Sequence, residues 1–306
     1  MTYQWNIRRL TAQEEALQQQ LQRELNISSA AARMLVVRDI QSAEEARQFI
    51  RPSLDKLHDP FLMKDMDKAV ERLHQAITQG EKILIYGDYD VDGTTAVALM
   101  YRFLQNLASN LSPLTFNLDY YIPDRYTEGY GVSQQGIDYA AAQGCTLIIT
   151  LDCGIKAVEK IAYANSKGID VIVCDHHTPG DELPQAIAVL NMKRNDCPYP
   201  YKDLSGCGVG FKLAQAYTQK YGLPFENLVP LLQLLAMSIA SDIVPITGEN
   251  RILAHFGIQQ LNKAPFTGLS AIMQVAGIEA KKLTINDLVY KIGPRINACG
   301  RMKSGR

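Results

Sequence analysis

The sequence lacks several features that would assign it to a specialised class of protein. Its 306 residues carry a formal net charge of −1, and they contain no internal repeat and no low-complexity tract. No apolar run approaches the length of a membrane span, and the segment MTYQWNIRRL at the amino terminus has neither the apolar stretch nor the cleavage pattern of a secretory signal. These absences predict a globular protein of the cytoplasm with no membrane association.

Cysteine pairs are also missing. The six cysteines form no C-x-x-C pair and no zinc-ribbon spacing, so we expect reduced and mostly buried thiols. The nearly neutral charge does not give the basic footprint that is usual for a nucleic-acid-binding domain. Bound divalent cations would add positive charge at a site, however, and the formal charge does not count them.

Three apolar runs that each end in an aspartate are the main positive feature. They are ILIYGDYDVDG (Ile83 to Gly93), LIITLDCG (Leu147 to Gly154) and VIVCDHH (Val171 to His177). Buried parallel strands place functional residues just beyond their carboxyl ends, so these runs predict one crevice. Aspartates so close together would repel one another unless divalent cations neutralised them, and carboxylate with imidazole suits Mn²⁺, Mg²⁺ or Zn²⁺. The residues brought together are Asp88, Asp90, Asp92, Asp152, Asp175, His176 and His177.

Alternating strand and helix patterns predict an α/β fold, a mostly parallel sheet flanked by helices, with a helical lobe before it and a helical segment after it. Ser42 and Glu45 form a capping-box pattern for a helix over 43–50, and Asp65 or Asp67 is expected to cap the next helix. The predicted strands are 83–86, 116–122, 147–151, 171–174 and 186–190. The predicted helices of the later chain are 94–104, 133–143, 155–167, 228–239, 251–261, 269–275 and 284–290.

Five motifs, in this order, resemble those of the DHH phosphoesterases: Asp88–Gly93, Asp152, Asp175–His177, Ser241–Pro245, and Gly293–Ala298 with Gly300–Arg301. Within that family the chain is similar to the RecJ branch of single-strand-specific DNA exonucleases. The segments Leu57–Met63 and Asp65–Met66 are also typical of that branch. The resemblance implies a helical lobe over 1–79 packed on the core, a catalytic DHH domain over 80–250, and a helical connector over 251–306. RecJ proteins continue into a second domain, like the one named DHHA1, so the stop at Lys303–Arg306 implies a fragment.

The resemblance also implies a role for each residue of the predicted site. Asp90 and Asp92 are expected to bind different metals, with Asp88 as a ligand or a supporting catalytic residue. The spacing of these three predicts side chains on one face of an extended loop. The remaining expected roles are Asp152 as the bridge between the metals, His176 as a ligand, Asp242 as the ligand that completes the second metal, His177 as a stabiliser or proton donor at the scissile phosphate, and Asp175 as the carboxylate that orients an imidazole.

Simpler interpretations of the same motifs remain open. The segment from Asp88 to Gly93 also suits an Asx turn that caps a helix, and Asp152 suits a helix cap before Gly154. The glycine-rich segment Ser205–Gly210 either brings backbone close to nucleic acid or allows close helix packing.

Four further residues are candidates for binding the substrate. Arg295, Asn297 and Arg301 offer cationic and amide donors, and the planar fork of arginine suits phosphate, although surface salt bridges would also explain the arginines. Arg125 lies in a polar aromatic loop, where it or Tyr130 is placed to contact the strand being cut. Arg125 is equally suited to pair with Asp124 or Glu128.

The function that we predict is a two-metal phosphodiesterase that removes 5′-terminal nucleotides from single-stranded DNA, with Mn²⁺ preferred and Mg²⁺ as the alternative. Resemblance adds DNA repair and recombination as the context, and a single-strand-binding protein and a helicase as partners. A small-substrate phosphoesterase is the rival enzyme, but those relatives usually carry a histidine four residues before the first of two aspartates, where this chain has Tyr86 ahead of Asp90. A binding module without catalysis is the other rival, and the filled ligand positions disfavour it.

Overall fold

A computed structural model of the chain describes residues 4, 6–110, 117–279 and 282–302, and the side chains at 109 and 110 lie outside this description. The chain divides into two compact units, residues 1–56 and residues 57–306. None of the helices among the described residues has the length and apolar character needed to cross a membrane.

The first unit is a group of three helices, α1 (Ala12–Leu25), α2 (Ser29–Val36) and α3 (Ala43–Ile50). The hydroxyl of Ser42 accepts a hydrogen bond from the Glu45 amide at 3.1 Å, which confirms the predicted start of α3. The Glu45 carboxylate accepts from the Gln41 amide, so only half of the predicted capping box forms. The unit has its own small core, made of Leu21, Ala32, Leu35, Val36, Ile40, Ala43 and Ala46.

The second unit contains a five-stranded sheet in which every neighbouring pair is parallel, in the order β2-β1-β3-β4-β5. All five predicted strands are present, although Phe116, the first residue of one prediction, lies outside the described residues. The chain leaves β1 toward β2 on one side and returns to β3 on the other, so the strand order reverses between β1 and β3. The strands are β1 (Lys82–Gly87), β2 (Asn117–Tyr121), β3 (Leu147–Leu151), β4 (Asp170–Cys174) and β5 (Ala188–Leu190).

Helices cover both faces of this sheet, as predicted. On one face Leu84, Ile148 and Val171 pack against buried residues of α6 and α7, while α5 and α8 contact the strands as well. The helices of this unit are α4 (Met66–Thr78), α5 (Val91–Asn110), α6 (Gln134–Ala142), α7 (Val158–Ser166), α8 (Gly206–Lys220), α9 (Leu232–Ser241), α10 (Gly248–Lys263), α11 (Thr267–Val275), α12 (Ile285–Asp287) and α13 (Gly293–Met302). Short 3₁₀ turns lie at Leu54–Lys56, Pro60–Leu62, Phe225–Asn227 and Val229–Leu231, the first of them at the end of the first unit.

Some predicted element ends were wrong. Asp65 does not cap α4 through its side chain, because its carboxylate binds Lys68 at 3.0 Å and Arg194 at 2.6 Å. The predicted helix over 284–290 is the short α12 followed by a π turn over Leu288–Ile292. Helix α13 then begins at Gly293 and was not predicted. Pro294 lies in its first turn, where the missing N–H costs no hydrogen bond.

Candidate metal centre

The carboxyl ends of β1, β3 and β4 meet as predicted. Asp88 follows β1 directly, Asp152 follows β3, and Asp175 with the two histidines follows β4. Three overlapping groups of side chains there offer ligand atoms that all lie within 4.8 Å of one another inside each group. The groups are Asp88 with Asp90 and Asp152, Asp92 with His176 and Asp242, and Asp152 with His176 and His177. The structure therefore brings together every predicted ligand position.

Asp92 lies in the first turn of α5, so the prediction of one extended loop carrying three aspartates on one face was wrong. The reason is that α5 begins at Val91, three residues earlier than expected, so the backbone at Asp92 is helical and not extended. The helix start also gives Asp90 a capping bond, since its Oδ1 accepts from the Gly93 amide at 3.1 Å. The simpler interpretation of this motif as a helix cap is thus correct for Asp90, and this bond involves one of its two carboxylate oxygens.

The carboxylate of Asp92 is buried and is held by three donors from distant parts of the chain. Its Oδ2 accepts from the Gly206 amide at 2.6 Å. Its Oδ1 accepts from the Cys207 amide at 2.8 Å and from the Ser238 hydroxyl at 2.7 Å. Burial outweighs these bonds and raises the pKa of Asp92 to about 6.

The glycine-rich segment is explained by its closeness to Leu151 and Asp152 at the end of β3. A Cβ atom at Gly206 would lie 2.5 Å from the Cβ and from Oδ1 of Asp152, which real side chains do not permit. At Gly210 a Cβ would lie 2.8 Å from the Leu151 side chain. Of the two open interpretations, the structure favours close packing of α8, which presses the first turn of that helix against the site.

Asp88, Asp152 and Asp242 carry buried oxygens with no hydrogen-bond partner among the described residues. Burial raises the pKa of Asp88 to about 7 and that of Asp242 to about 8. Burial, followed by the charge of the nearby Asp92, raises the pKa of Asp152 well above its ordinary value. Asp152 also adopts a positive φ of 62°, an unusual backbone conformation for an aspartate. Buried carboxylates without partners are costly, and a bound cation relieves that cost.

His176 completes a donor set that suits a divalent cation. Both of its ring nitrogens are buried without a hydrogen-bond partner among the described residues. Its Nε2 lies 3.2 Å from Oδ1 of Asp152, 3.6 Å from Oδ2 of Asp242 and 3.9 Å from Oδ2 of Asp92. Burial lowers the pKa of His176 to about 4, so the ring is neutral near pH 7 and keeps the lone pair that a metal ligand needs. Carboxylate oxygens with one imidazole fit Mn²⁺ or Mg²⁺ better than a soft metal.

His177 differs from His176 because Asp175 holds it. Oδ1 of Asp175 lies 2.7 Å from Nδ1 of His177 and also accepts from the His177 amide at 3.1 Å. Oδ2 accepts from the Ile155 amide at 2.9 Å. The hydrogen bond with Asp175 raises the pKa of His177. The other ring nitrogen, Nε2, lies 3.2 Å from the hydroxyl of Tyr130. The predicted arrangement of an aspartate that orients an imidazole is present in the geometry.

The predicted substrate-binding residues lie in different surroundings. Oδ1 of Asn297 accepts from the Val91 amide at 3.2 Å, which places α13 beside the start of α5. Asn297 and Arg301 line a cavity of about 340 Å³ with Ser241 and Ile243, whereas Arg295 does not line it. The exposed Arg295 donates to the carbonyl of Lys291 on its own helix at 2.6 Å.

Arg125 stacks its guanidinium over the ring of Tyr89 at 4.1 Å from the ring centre. The Glu128 carboxylate, one of the two partners considered for Arg125, accepts from the hydroxyls of Tyr121 at 2.9 Å and Ser133 at 2.6 Å. Arg125 therefore faces the ring of Tyr89, which lies within the first aspartate motif.

Sequence reasoning missed four residues that support the site. Ser238 and the amides of Gly206 and Cys207 bind Asp92, although they are more than 110 residues away from it in the chain. Asn191, the residue after β5, donates to the carbonyl of His177 at 2.8 Å. Only the run of glycines in Ser205–Gly210 gave any local signal.

Comparisons with known proteins show the family of the chain and similar folds. A family model described as "DHH family, N-terminal domain" matches residues 82–239. The single-stranded-DNA-specific exonuclease RecJ of Bacillus subtilis (strain 168) is 40% identical over 283 residues, which are 92% of this chain and 34% of that protein.

Two crystal structures of RecJ from Thermus thermophilus, one in complex with Mn²⁺ and one with Mg²⁺, are similar in fold. The first has a TM-score of 0.76 at 26% identity and covers 94% of this chain and 39% of the other. The second has a TM-score of 0.66 at 25% identity and covers 94% and 36%. The chain thus spans about a third of the length of these relatives. Because the family model matches more than half of its residues, the chain belongs to the DHH family.

Proposed function

We propose that this chain is the catalytic part of a metal-dependent, single-strand-specific DNA exonuclease that cuts from the 5′ end, and that two divalent ions, Mn²⁺ preferred and Mg²⁺ as the alternative, serve it. The observation that carries the proposal is the overlap of the three ligand groups, in which Asp152 and His176 each belong to two. A carboxylate that belongs to two groups suits a bridge between two ions.

The ligand roles follow from the same groups. Asp88, Asp90 and Asp152 would hold one ion, and Asp92, His176 and Asp242 the other, with Asp152 shared between them. In such sites two divalent ions lower the pKa of the attacking water and neutralise charge on the phosphate.

The residues of the chain itself hold the catalytic groups in position. The three donors to Asp92 hold its carboxylate in one position, so that no reorganisation is needed when substrate binds. Asp175 holds Nδ1 of His177 at 2.7 Å, and the hydroxyl of Tyr130 lies beside the ring, 3.3 Å from Nδ1 and 3.2 Å from Nε2. His177 would then donate a hydrogen bond from Nε2 to the phosphate as negative charge develops on it. Asn297, Arg301, Arg125 and Arg295 are the proposed contacts to the rest of the strand.

The rival functions are less well supported. Tyr86 occupies the position where small-substrate relatives usually carry a histidine. It is fully buried, with its hydroxyl donating to the carbonyl of Gly131 at 2.9 Å. A structural tyrosine there adds no metal ligand. A binding module without catalysis would not need buried carboxylates that lack hydrogen-bond partners. Such carboxylates cost folding free energy, and a bound cation offsets that cost.

Several finer expectations belong to the same proposal. The protein is expected to act in the cytoplasm, in DNA repair and recombination, with a single-strand-binding protein and a helicase as partners. Residues 80–250 would form the catalytic domain, with 1–79 as a helical lobe and 251–306 as a connector to a second domain.

An assay with several substrates tests the proposal. The protein would be incubated with Mn²⁺ and with end-labelled single-stranded DNA, duplex DNA, short RNA, pyrophosphate or a cyclic dinucleotide, and the products would be separated by size. We expect mononucleotides to be released from the 5′ end of single-stranded DNA only. Faster hydrolysis of pyrophosphate or a cyclic dinucleotide would instead favour the small-substrate enzyme.

A further inference from the structure

A second cavity, of about 250 Å³, lies next to His177. It is formed between the loop that carries Tyr130 and the segment from Gly154 to Lys160. Tyr130, Lys156, Lys160, Asp175 and His177 are among the residues that line it.

The walls of this cavity are fixed to the same groups that hold the site. Oδ2 of Asp175 accepts from the Ile155 amide at 2.9 Å, while Oδ1 holds the ring of His177. The hydroxyl of Tyr130 lies 3.3 Å from the carbonyl oxygen of Asp152 and 3.2 Å from Nε2 of His177. A group bound in the cavity is thus held at a set position relative to His177.

The cavity carries the positive charges of two lysines that are not paired with carboxylates among the described residues. Lys156 and Lys160 line it, and neither forms an ion pair within 4.0 Å with a carboxylate among the described residues. The Asp175 carboxylate also lines the cavity, but hydrogen bonds from protein donors occupy both of its oxygens. Lysines just before and within the first turn of a helix oppose the helix dipole, so the stability of α7 does not explain them.

We propose that this cavity is a subsite for the nucleotide next to the scissile phosphate, in which Lys156 and Lys160 bind the neighbouring phosphate and the ring of Tyr130 supports the base. The inference deepens the proposed function and rests on it. Tyr130 is 57% exposed, and the part of its ring that does not contact Tyr89 and His177 offers the stacking surface that single-stranded nucleic acids use. Two ammonium groups beside a metal centre attract a chain of phosphates rather than a neutral ligand.

The test compares Lys156→Gln/Lys160→Gln with Lys167→Gln, in which a lysine at the opposite end of α7 is neutralised. Each variant would be assayed with Mn²⁺ on two substrates. One is the p-nitrophenyl ester of thymidine 5′-phosphate, which carries only the scissile phosphate. The other is a single-stranded oligonucleotide of twelve residues, with and without a 5′-phosphate.

We expect the double variant to lose at least about tenfold more kcat/KM on the oligonucleotide than on the ester, relative to Lys167→Gln. Lys156→Arg/Lys160→Arg should recover most of that loss. A loss that persists without the 5′-phosphate assigns the bound phosphate to the 3′ side of the cut, and a loss that disappears assigns it to the 5′ end. Equal losses on both substrates, or no difference from Lys167→Gln, would overturn the subsite.

A binding measurement keeps the two proposals separate. If the parent protein cut neither substrate, the proposed function would fail, yet fluorescence anisotropy of a labelled oligonucleotide in Ca²⁺ would still report on the subsite. The double variant should then bind about tenfold more weakly than Lys167→Gln. Its plot of log affinity against log salt should also be shallower by about 0.7 for each phosphate that the lysines no longer bind. Equal affinity and slope would contradict the subsite on their own.

Discussion

At the amino-terminal end of the parallel sheet, Glu81 and Asp170 share one arginine. Arg72 donates to Glu81 at 2.7 and 3.1 Å and to Asp170 at 2.6 Å. At the carboxyl-terminal end, the aspartates of the site form no ion pair within 4.0 Å with a lysine or arginine among the described residues, and only histidines lie that close.

The pKa values follow this difference. Burial alone would raise the pKa of Glu81, but hydrogen bonds from Arg72 and Thr146 outweigh burial and lower it. Burial also raises the pKa of Asp88 and Asp242, and there the nearby hydrogen bonds and positive charges do not outweigh it. At one end of the sheet, an arginine of the protein neutralises the carboxylates. At the other end the carboxylates need bound cations, so the same scaffold is stable and yet carries a site that costs folding free energy in the absence of metal.

The largest expected effect comes from removing the shared carboxylate. Asp152→Ala should weaken both metal sites and lower activity by about 10³-fold or more, because the proposed bridge serves both ions. Calorimetric titration with Mn²⁺ would give the number of sites, which should be two in the parent, and Asp242→Ala should weaken mainly one.

Asp170→Ala is the matched control, since it removes an aspartate from the opposite end of the same sheet. It should keep both metal sites and lose only stability. Two full-strength sites in Asp152→Ala, or a single site in the parent, would contradict the bridging role.

The two histidines should separate metal binding from catalysis. His177→Ala should keep both metal sites while kcat falls by about 10²-fold, the size of effect expected when one transition-state donor is removed. His176→Ala should lose metal affinity and activity together. Calorimetric titration with Mn²⁺ and measurement of kcat on both variants test these roles. Equally poor metal binding by both variants would show that the assigned roles are wrong.

Stability should respond to pH in opposite directions at the two ends. Unfolded aspartates titrate near pH 4, whereas the folded pKa values are about 6 for Asp92, 7 for Asp88 and 8 for Asp242. Between pH 4 and 8 these three groups bind more protons in the folded, metal-free protein than in the unfolded chain, so the stability that they contribute falls as pH rises.

Thermal unfolding in EDTA should therefore give a lower Tm at pH 8 than at pH 5, by roughly 2–4 °C for each kcal/mol lost. Saturating Mn²⁺ should remove most of that decrease, because bound cations take over from protons. A metal-free Tm that rose from pH 5 to pH 8 would contradict the idea that the carboxyl end is uncompensated.

The smallest effect is expected at the compensated end. Arg72→Met should cost about 1–2 kcal/mol in the free energy of unfolding, because partial exposure weakens these bonds, while the number of metal sites stays the same. The lowered pKa of Glu81 contributes stability above its unfolded pKa that is lost as pH falls, so the variant should differ most from the parent near neutral pH. Urea denaturation at pH 7 and pH 4 measures both terms, and a larger difference at pH 4 would be evidence against the pairing.

Local patterns in the sequence were sufficient to predict the strands and the site residues that follow them. Asp88, Asp152 and Asp175 were found because each ends a buried apolar run, and parallel strands must bring such ends together. The extended backbone predicted at Asp92 was wrong, because α5 begins at Val91 and not at residue 94.

Contacts between distant segments were not predictable from one sequence. Nothing near Gly206 or Ser238 indicates that they meet Asp92, since that meeting depends on how α8 and α9 pack over the sheet. Helix α13 was missed for a related reason, because its first residues were interpreted as a substrate-binding motif and not as a helix start.

The two amide bonds from the start of α8 to Asp92 also provide a way of observing the site without any reaction. Amide protons of Gly206 and Cys207 point at a carboxylate whose charge is balanced when a cation binds, so their nuclear magnetic resonance frequencies should move as metal is added. Most of α8 is buried, so these protons should also exchange slowly with solvent deuterium. Occupancy of the centre can thus be followed at two named atoms, with no DNA and no turnover.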